Sequence, residues 1–170
     1  MFSFGDSKKR SDNFSHIERQ LDFDENDLET VQTKALYQWW RSYQPNLPAR
    51  ADFDIVEHRS LPPYIYVMEV LSPTKFLYRL NGEHVVRLVG RSLATHTLSI
   101  DSPIYEDKIF ASYLSDLITH RKACRCFGDF SLLGREHIKF ESVDCPVADK
   151  EGNITHIIGV LTDRYGDGGR

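Results

Sequence analysis

The sequence predicts an α+β fold, a five-stranded antiparallel sheet with helices on one face, preceded by an amphipathic N-terminal helix. Three observations predict it. Apolar residues recur at helical spacing from Leu28 to Tyr43 and again from Pro103 to His120. Five segments rich in β-branched and aromatic residues fall into a group of two and a group of three, separated by helical sequence. Short turn sequences join neighbours within each group, so the pairs run antiparallel.

In chain order, residues 1–27 are polar and aperiodic and read as a mobile arm. Leu28, Val31, Ala35, Leu36, Trp39, Trp40 and Tyr43 mark the first helix, with Asp27 as its expected N-cap and Pro45 beyond its end. One helical turn is expected from Asp54 to Arg59, before Pro62-Pro63. Tyr64 to Leu71 and Lys75 to Leu80 form a hairpin about Ser72-Pro73-Thr74. Asn81 is placed to cap a short helix over Gly82 to Val89, which Gly90 ends. A polar loop over Arg91 to Asp101 leads to the second long helix, with Ser102 as its cap, and its apolar stripe includes Ile109, Tyr113 and Leu117. Three strands follow as a meander: Ala123 to Leu133, Glu136 to Ala148, and Ile154 to about Asp163. Ile138 and Phe140 differ in parity from Val143, Cys145 and Val147, which predicts a bulge near Ser142-Val143. Residues 164–170 read as a frayed tail, leaving one domain over 28–163.

Composition narrows the function. A chain of 170 residues has the length of one globular domain. Its longest apolar runs fall far short of the roughly 20 residues of a membrane helix. The first ten residues carry charges where a secretory signal needs an apolar core, so a cytoplasmic protein is expected. The net charge is −4, and residues 1–27 hold −3 of it, which argues against a nucleic-acid partner because no basic face is available for phosphates. Cys124, Cys126 and Cys145 form no paired framework, which suits a reducing compartment.

Phe76-Leu77-Tyr78-Arg79-Leu80-Asn81-Gly82, followed by Val85-Val86 and by Gly90-Arg91-Ser92-Leu93, resembles a bacterial subfamily of PAS domains with the pattern F-x-Y-R-L-x-G and then G-R-x-L. Leu36-Tyr37, Trp40, Leu47 to Asp54, Leu61-Pro62, Val143 to Asp149 and Ile157-Ile158-Gly159 extend the resemblance to about Leu28 to Asp163. It departs after Leu93, where Ala94-Thr95-His96 stands in place of the family's Thr-Gly. The resemblance implies a sensory or interaction module whose sheet cups a cavity beneath the helices. With no output segment read after Asp163, the expected exit for a signal is contact with another signalling protein or a second copy. The first helix is the candidate surface, through Leu36, Trp39, Trp40 and Tyr43; packing of both tryptophans over the sheet is the alternative.

Candidate chemistry centres on a small-molecule pocket lined by Tyr66, Met68, Tyr78 and Phe127, aromatic walls with polar tips being usual for such sites. Core packing accounts for the same residues. His84 is a candidate beside that pocket, where some PAS relatives hold haem, although a single surface histidine fits equally and no flavin or haem motif is present, so the cofactor stays unassigned. Arg79 is expected exposed or ion-paired rather than binding an anion with Arg87 or Arg91. The cysteines lack zinc-site spacing, and no metal is expected. No nucleophile elbow, phosphate loop, HExxH helix or dinucleotide motif appears. Asp129, Glu141 and His137 are the raw material for a less favoured α+β enzyme, and a ligand-free adaptor with a filled cavity is the other alternative.

Overall fold

The computed structural model describes residues 17–90, 92–130 and 135–164, without the side chains of residues 130 and 135–137. Its sheet has seven strands: β1 (Glu18–Gln20), β2 (Ile65–Ser72), β3 (Lys75–Asn81), β4 (Thr97–Ser99), β5 (Cys124–Phe130), β6 (Arg135–Ala148) and β7 (Ile154–Asp163). Their spatial order is β1-β5-β6-β7-β2-β3-β4, with every neighbouring pair antiparallel. The five predicted strands form the centre. β1 and β4 are three-residue additions at the two edges, too short to carry a periodic signal, and each occupies hydrogen-bonding groups that an open edge would expose.

Helices α2 (Glu83–Val89) and α3 (Tyr105–His120) cover one face of the sheet, while α1 (Val31–Arg41) crosses the other. Two cores result. Met68, Phe76, Phe140, Ile157 and Leu161 pack toward Val85, Leu88, Tyr113, Leu114 and Leu117 of α2 and α3. Val143, Cys145, Val147, Ile158 and Val160, from the opposite parity, pack toward Leu36 and Trp40 of α1. This corrects the expected bulge at Ser142-Val143. The β6 register runs unbroken there and shifts instead at Asp129/Phe130 and Val147/Ala148. Both parities of β6 are apolar because both faces are covered, so no bulge is needed to turn one set inward.

The three expected caps are also corrected, each because a tertiary or turn contact takes the side chain first. Asp27 closes a 3-10 turn, accepting from the Asp24 amide at 2.7 Å, and Thr30 caps α1 by accepting from the Thr33 amide at 3.2 Å. Asn81 accepts from the Leu93 amide at 2.9 Å and fastens the following loop, leaving Gly82 as the residue before α2. A side chain at Gly82 would strike the carbonyls of Pro62 and Pro63. Ser102 accepts from the Ile104 amide one turn before α3 begins. The end of α2 agrees with expectation, since Gly90 adopts φ 95°, a left-handed conformation that glycine enters without strain.

Of the arm expected over 1–27, residues 1–16 lie outside the described residues. From Ile17 the chain is ordered, because Glu18–Gln20 pairs with β5 and Asp24 caps the turn at Glu25–Asp27. No helix among the described residues is long and apolar enough to cross a membrane.

Candidate ligand cavity

The face of the sheet beneath α2 and α3 is not filled. A cavity of about 340 Å³ remains between it and the helices. That volume lies at the lower end of the range for small-molecule sites. Tyr66 and Met68 of β2 and Tyr78 of β3 line it, as the sequence suggested, and Phe140 and Leu161 continue its apolar floor.

The polar end was not foreseen. Asp144 points into the cavity from β6 with both carboxylate oxygens engaged: the Tyr66 hydroxyl donates to Oδ1 and the Tyr113 hydroxyl to Oδ2, the latter at 2.5 Å. Cys126 donates its thiol proton to the Tyr113 oxygen at 3.4 Å, and the Arg19 guanidinium lies 4.8 Å from the centre of the Tyr113 ring. Burial raises the Asp144 pKa, while the Tyr113 and Tyr66 hydrogen bonds and the charge of Arg19 act against that rise. Burial, followed by the Asp144 charge, pushes both tyrosines well above their usual value, so both phenols keep their protons. The signal for Asp144 was present in the sequence as an acid between Val143 and Cys145 in a strand. Once both faces of β6 are covered, an acid at that position must find partners inside the protein.

Further along the wall, His96 and Asp107 meet at 2.9 Å, tying the loop before β4 to the first turn of α3. Asp129 also lines the cavity and pairs with Lys139 at 3.4 Å. The cavity is therefore apolar over most of its surface, with acceptor-rich groups at its polar places.

The remaining candidates lie elsewhere, Phe127 by strand parity and the others by the faces their helices bury. Phe127 alternates with Cys126 and so lies on the opposite face, its ring 4.1 Å from the Arg125 guanidinium carbon and 5.4 Å from that of Arg164. His84 turns away from the cavity, bonding Asp163 at 2.9 Å and resting on the Tyr64 ring. Leu36 and Trp40 are buried in the α1 core, and the Trp40 indole donates to the Pro146 carbonyl at 2.8 Å. Trp39 and Tyr43 remain half-buried and meet edge to face, 5.5 Å apart.

Arg79 is exposed and lies 3.7 Å from Glu69, and Arg87 pairs with Glu83 along α2. Arg91 and the His137 side chain lie outside the described residues. Glu141 is fully buried on the α1 face, away from the cavity, so it does not join Asp129 in one site. The thiols of Cys124 and Cys126 lie 4.0 Å apart, with Cys145 on the other face, and all three are free and buried. Among the described residues, no three histidine, cysteine or acidic side chains form a metal-binding group.

Gly159 builds the cavity's polar end. It faces Tyr66 across the β2–β7 pair, and the tyrosine ring fills the space where a Cβ would stand. An aromatic ring laid over a strand glycine holds that ring in one place. Gly159→Ala is expected to drive Tyr66 from Asp144 and to cost about 1–3 kcal/mol by overpacking. Denaturant unfolding measures the cost, and the near-ultraviolet dichroism of the tyrosines reports the displacement.

In comparisons with known proteins, the PAS domain family matches residues 28–162. A search of curated proteins found no match. Among solved structures the chain is similar to an RNA-binding light-oxygen-voltage receptor, at 19% identity and TM-score 0.43, over 71% of this chain and 35% of that one. The chain thus spans about a third of that receptor. It is also similar to a light-oxygen-voltage domain studied with a flavin analogue, at 12% identity and TM-score 0.43, over 68% of this chain and 88% of that one. The dark-state structure of the blue-light photoreceptor Aureochrome1 LOV matches at 15% identity and TM-score 0.43, over 68% of this chain and 86% of that one.

Proposed function

The chain belongs to the PAS domain family, and on that premise we propose that it is a cytoplasmic sensory module of bacterial signal transduction, binding a small molecule in the cavity under α3 and catalysing no reaction. The observation that carries this reading is the cavity of about 340 Å³ itself, apolar over most of its wall and closed at one end by the Asp144, Tyr66 and Tyr113 cluster. A module serving only as an adaptor gains nothing from leaving such a space, because lost packing contacts destabilise a core.

Occupancy has a direct physical route to the other face. Asp144 touches the cavity, while its neighbours Val143 and Cys145 pack on the α1 side and Pro146 holds the Trp40 indole through its carbonyl. A ligand that shifts the middle of β6 therefore shifts the floor on which α1 rests. Of the four interface candidates, Trp39 in α1 and Tyr43 just beyond its end are left for a partner protein or a second copy, since Leu36 and Trp40 are committed to the core.

The test is a thermal-shift screen of a small-molecule library against the wild type and Ser142→Leu, a variant that adds bulk to the cavity wall. A ligand at a hundred times its Kd adds about 2.7 kcal/mol, or roughly 5–10 °C for a chain of this size. The expected result is a set of compounds that raise the wild-type midpoint and leave that of the variant unchanged. A library that moves neither protein, or both equally, would overturn the proposal and favour the adaptor reading.

A further inference from the structure

We infer that the cavity holds a largely apolar molecule through one acceptor oxygen, of a carbonyl or a carboxylate, taken by the Arg19 guanidinium and the Ser142 hydroxyl. The inference rests on the proposed ligand-binding role and names the ligand class. It follows from a row of side chains that crosses the sheet beneath the helices.

Arg19 of β1 stands opposite Cys126 of β5, Cys126 opposite Ser142 of β6, and Ser142 opposite Leu161 of β7. Residues directly opposed across antiparallel strands share a face, and all four line the cavity. Two strand spacings put the Arg19 and Ser142 Cα atoms about 10 Å apart. The guanidinium lies over the Tyr113 ring, and the Tyr113 hydroxyl meets the thiol of Cys126, the residue between them. A ligand atom resting above Cys126 is therefore flanked by a cation on one side and a hydroxyl on the other.

Both groups have protons to give. Arg19 has other contacts, yet its Nε is buried and makes no hydrogen bond. A guanidinium carries five N–H donors in a planar fork, so a ligand oxygen can join those contacts. Ser142 is 5% exposed, and no described residue hydrogen-bonds its hydroxyl. The acceptors of the wall, by contrast, are largely answered: Asp144 by the Tyr66 and Tyr113 hydroxyls, Asp129 by Lys139 and Asp107 by His96. Glu106, the remaining acid of the lining, lies in the first turn of α3. A ligand whose polar end is only a methyl or an N–H would leave the buried donors of the row without an acceptor, which is costly. A carbonyl or carboxylate oxygen supplies one.

The experiment is a nuclear magnetic resonance titration of the full chain with matched fragments: acetophenone and benzoate, which carry the oxygen, and ethylbenzene and aniline, which do not. The first two are expected to bind at least about tenfold more tightly than the second two, as buried hydrogen bonds to the ligand predict. Ser142→Ala and Arg19→Met each remove one donor group and are expected to cut that preference by about threefold or more. Arg19→Met should act more strongly on benzoate than on acetophenone, because it also removes the charge. Circular dichroism confirms the fold of both variants, and Ser142→Ala, the smaller change, carries the test if Arg19→Met unfolds. Ethylbenzene or aniline binding as well as the oxygen-bearing fragments would overturn the inference while leaving the ligand-binding role intact. So would a preference left unchanged in Ser142→Ala or in folded Arg19→Met. Absence of binding by all four fragments would instead remove both.

Discussion

Glu141→Ala is expected to destabilise the protein by about 3–5 kcal/mol, the cost of removing one partner of a buried ion pair. Glu141 is fully buried on the α1 face of β6. Its carboxylate accepts from the backbone amides of Glu29, at 3.0 and 3.1 Å, and of Thr30, at 3.2 Å, from the Thr33 hydroxyl at 2.6 Å, and from Arg125 Nε at 3.0 Å. It thus answers amides at the approach to α1, where a helix start leaves donors unpaired and favours negative charge. Alanine would leave the Arg125 side chain, which is 7% exposed, with only the longer Glu29 contact at 3.9 Å and the Gln20 acceptor at 2.9 Å, beside amides that have lost their acceptor. Denaturant titration measures the loss, and Glu141→Gln, which keeps an acceptor but not the charge, is expected to fall between alanine and wild type. A loss below about 1 kcal/mol for alanine would show that the cluster does not anchor α1. An activity assay on Glu141→Ala would accordingly read unfolding before it read chemistry.

Trp40→Ala carries a comparable expected cost of about 3–5 kcal/mol, from the cavity that a large aromatic leaves behind. Trp40 is 4% exposed, and its indole nitrogen bonds the Pro146 carbonyl at the far end of β6. Its loss would also remove that hydrogen bond. Trp39→Ala is the contrasting variant, because Trp39 is half-buried against Phe53 and Tyr43. It should cost less in denaturant unfolding and is the cleaner probe of any contact between copies. Equal losses for the two variants would contradict the division of α1 into a core side and an outer side.

The strands and the long helix were legible because their residues are arranged for burial at fixed period, and nothing in the tertiary structure overrides a stripe such as Ile109, Tyr113 and Leu117. Caps were less legible. Asp27, Asn81 and Ser102 have suitable side chains at suitable places, yet each serves a neighbouring turn or loop instead. β1 and β4 were invisible because three residues hold no period. The change of apolar parity along β6 was visible but admits two causes, a bulge or a second covered face, and only the position of α1 decides between them. Three of the proposed cavity residues, Tyr66, Met68 and Tyr78, were found from their strand context. Phe127 follows the parity of Arg125 and lies across the sheet, and Asp144 was passed over because the second core, which takes Val143 and Cys145 and so turns Asp144 toward the cavity, was not foreseen.

The most direct test of the account is native mass spectrometry of the full chain purified under gentle conditions, with Ser142→Leu prepared in parallel. The account predicts a wild-type species heavier than the chain by one small molecule, released by denaturation and missing from the variant. Wild-type protein of bare chain mass, unchanged after incubation with a small-molecule extract of the cells that made it, would contradict the claim that the cavity is a binding site.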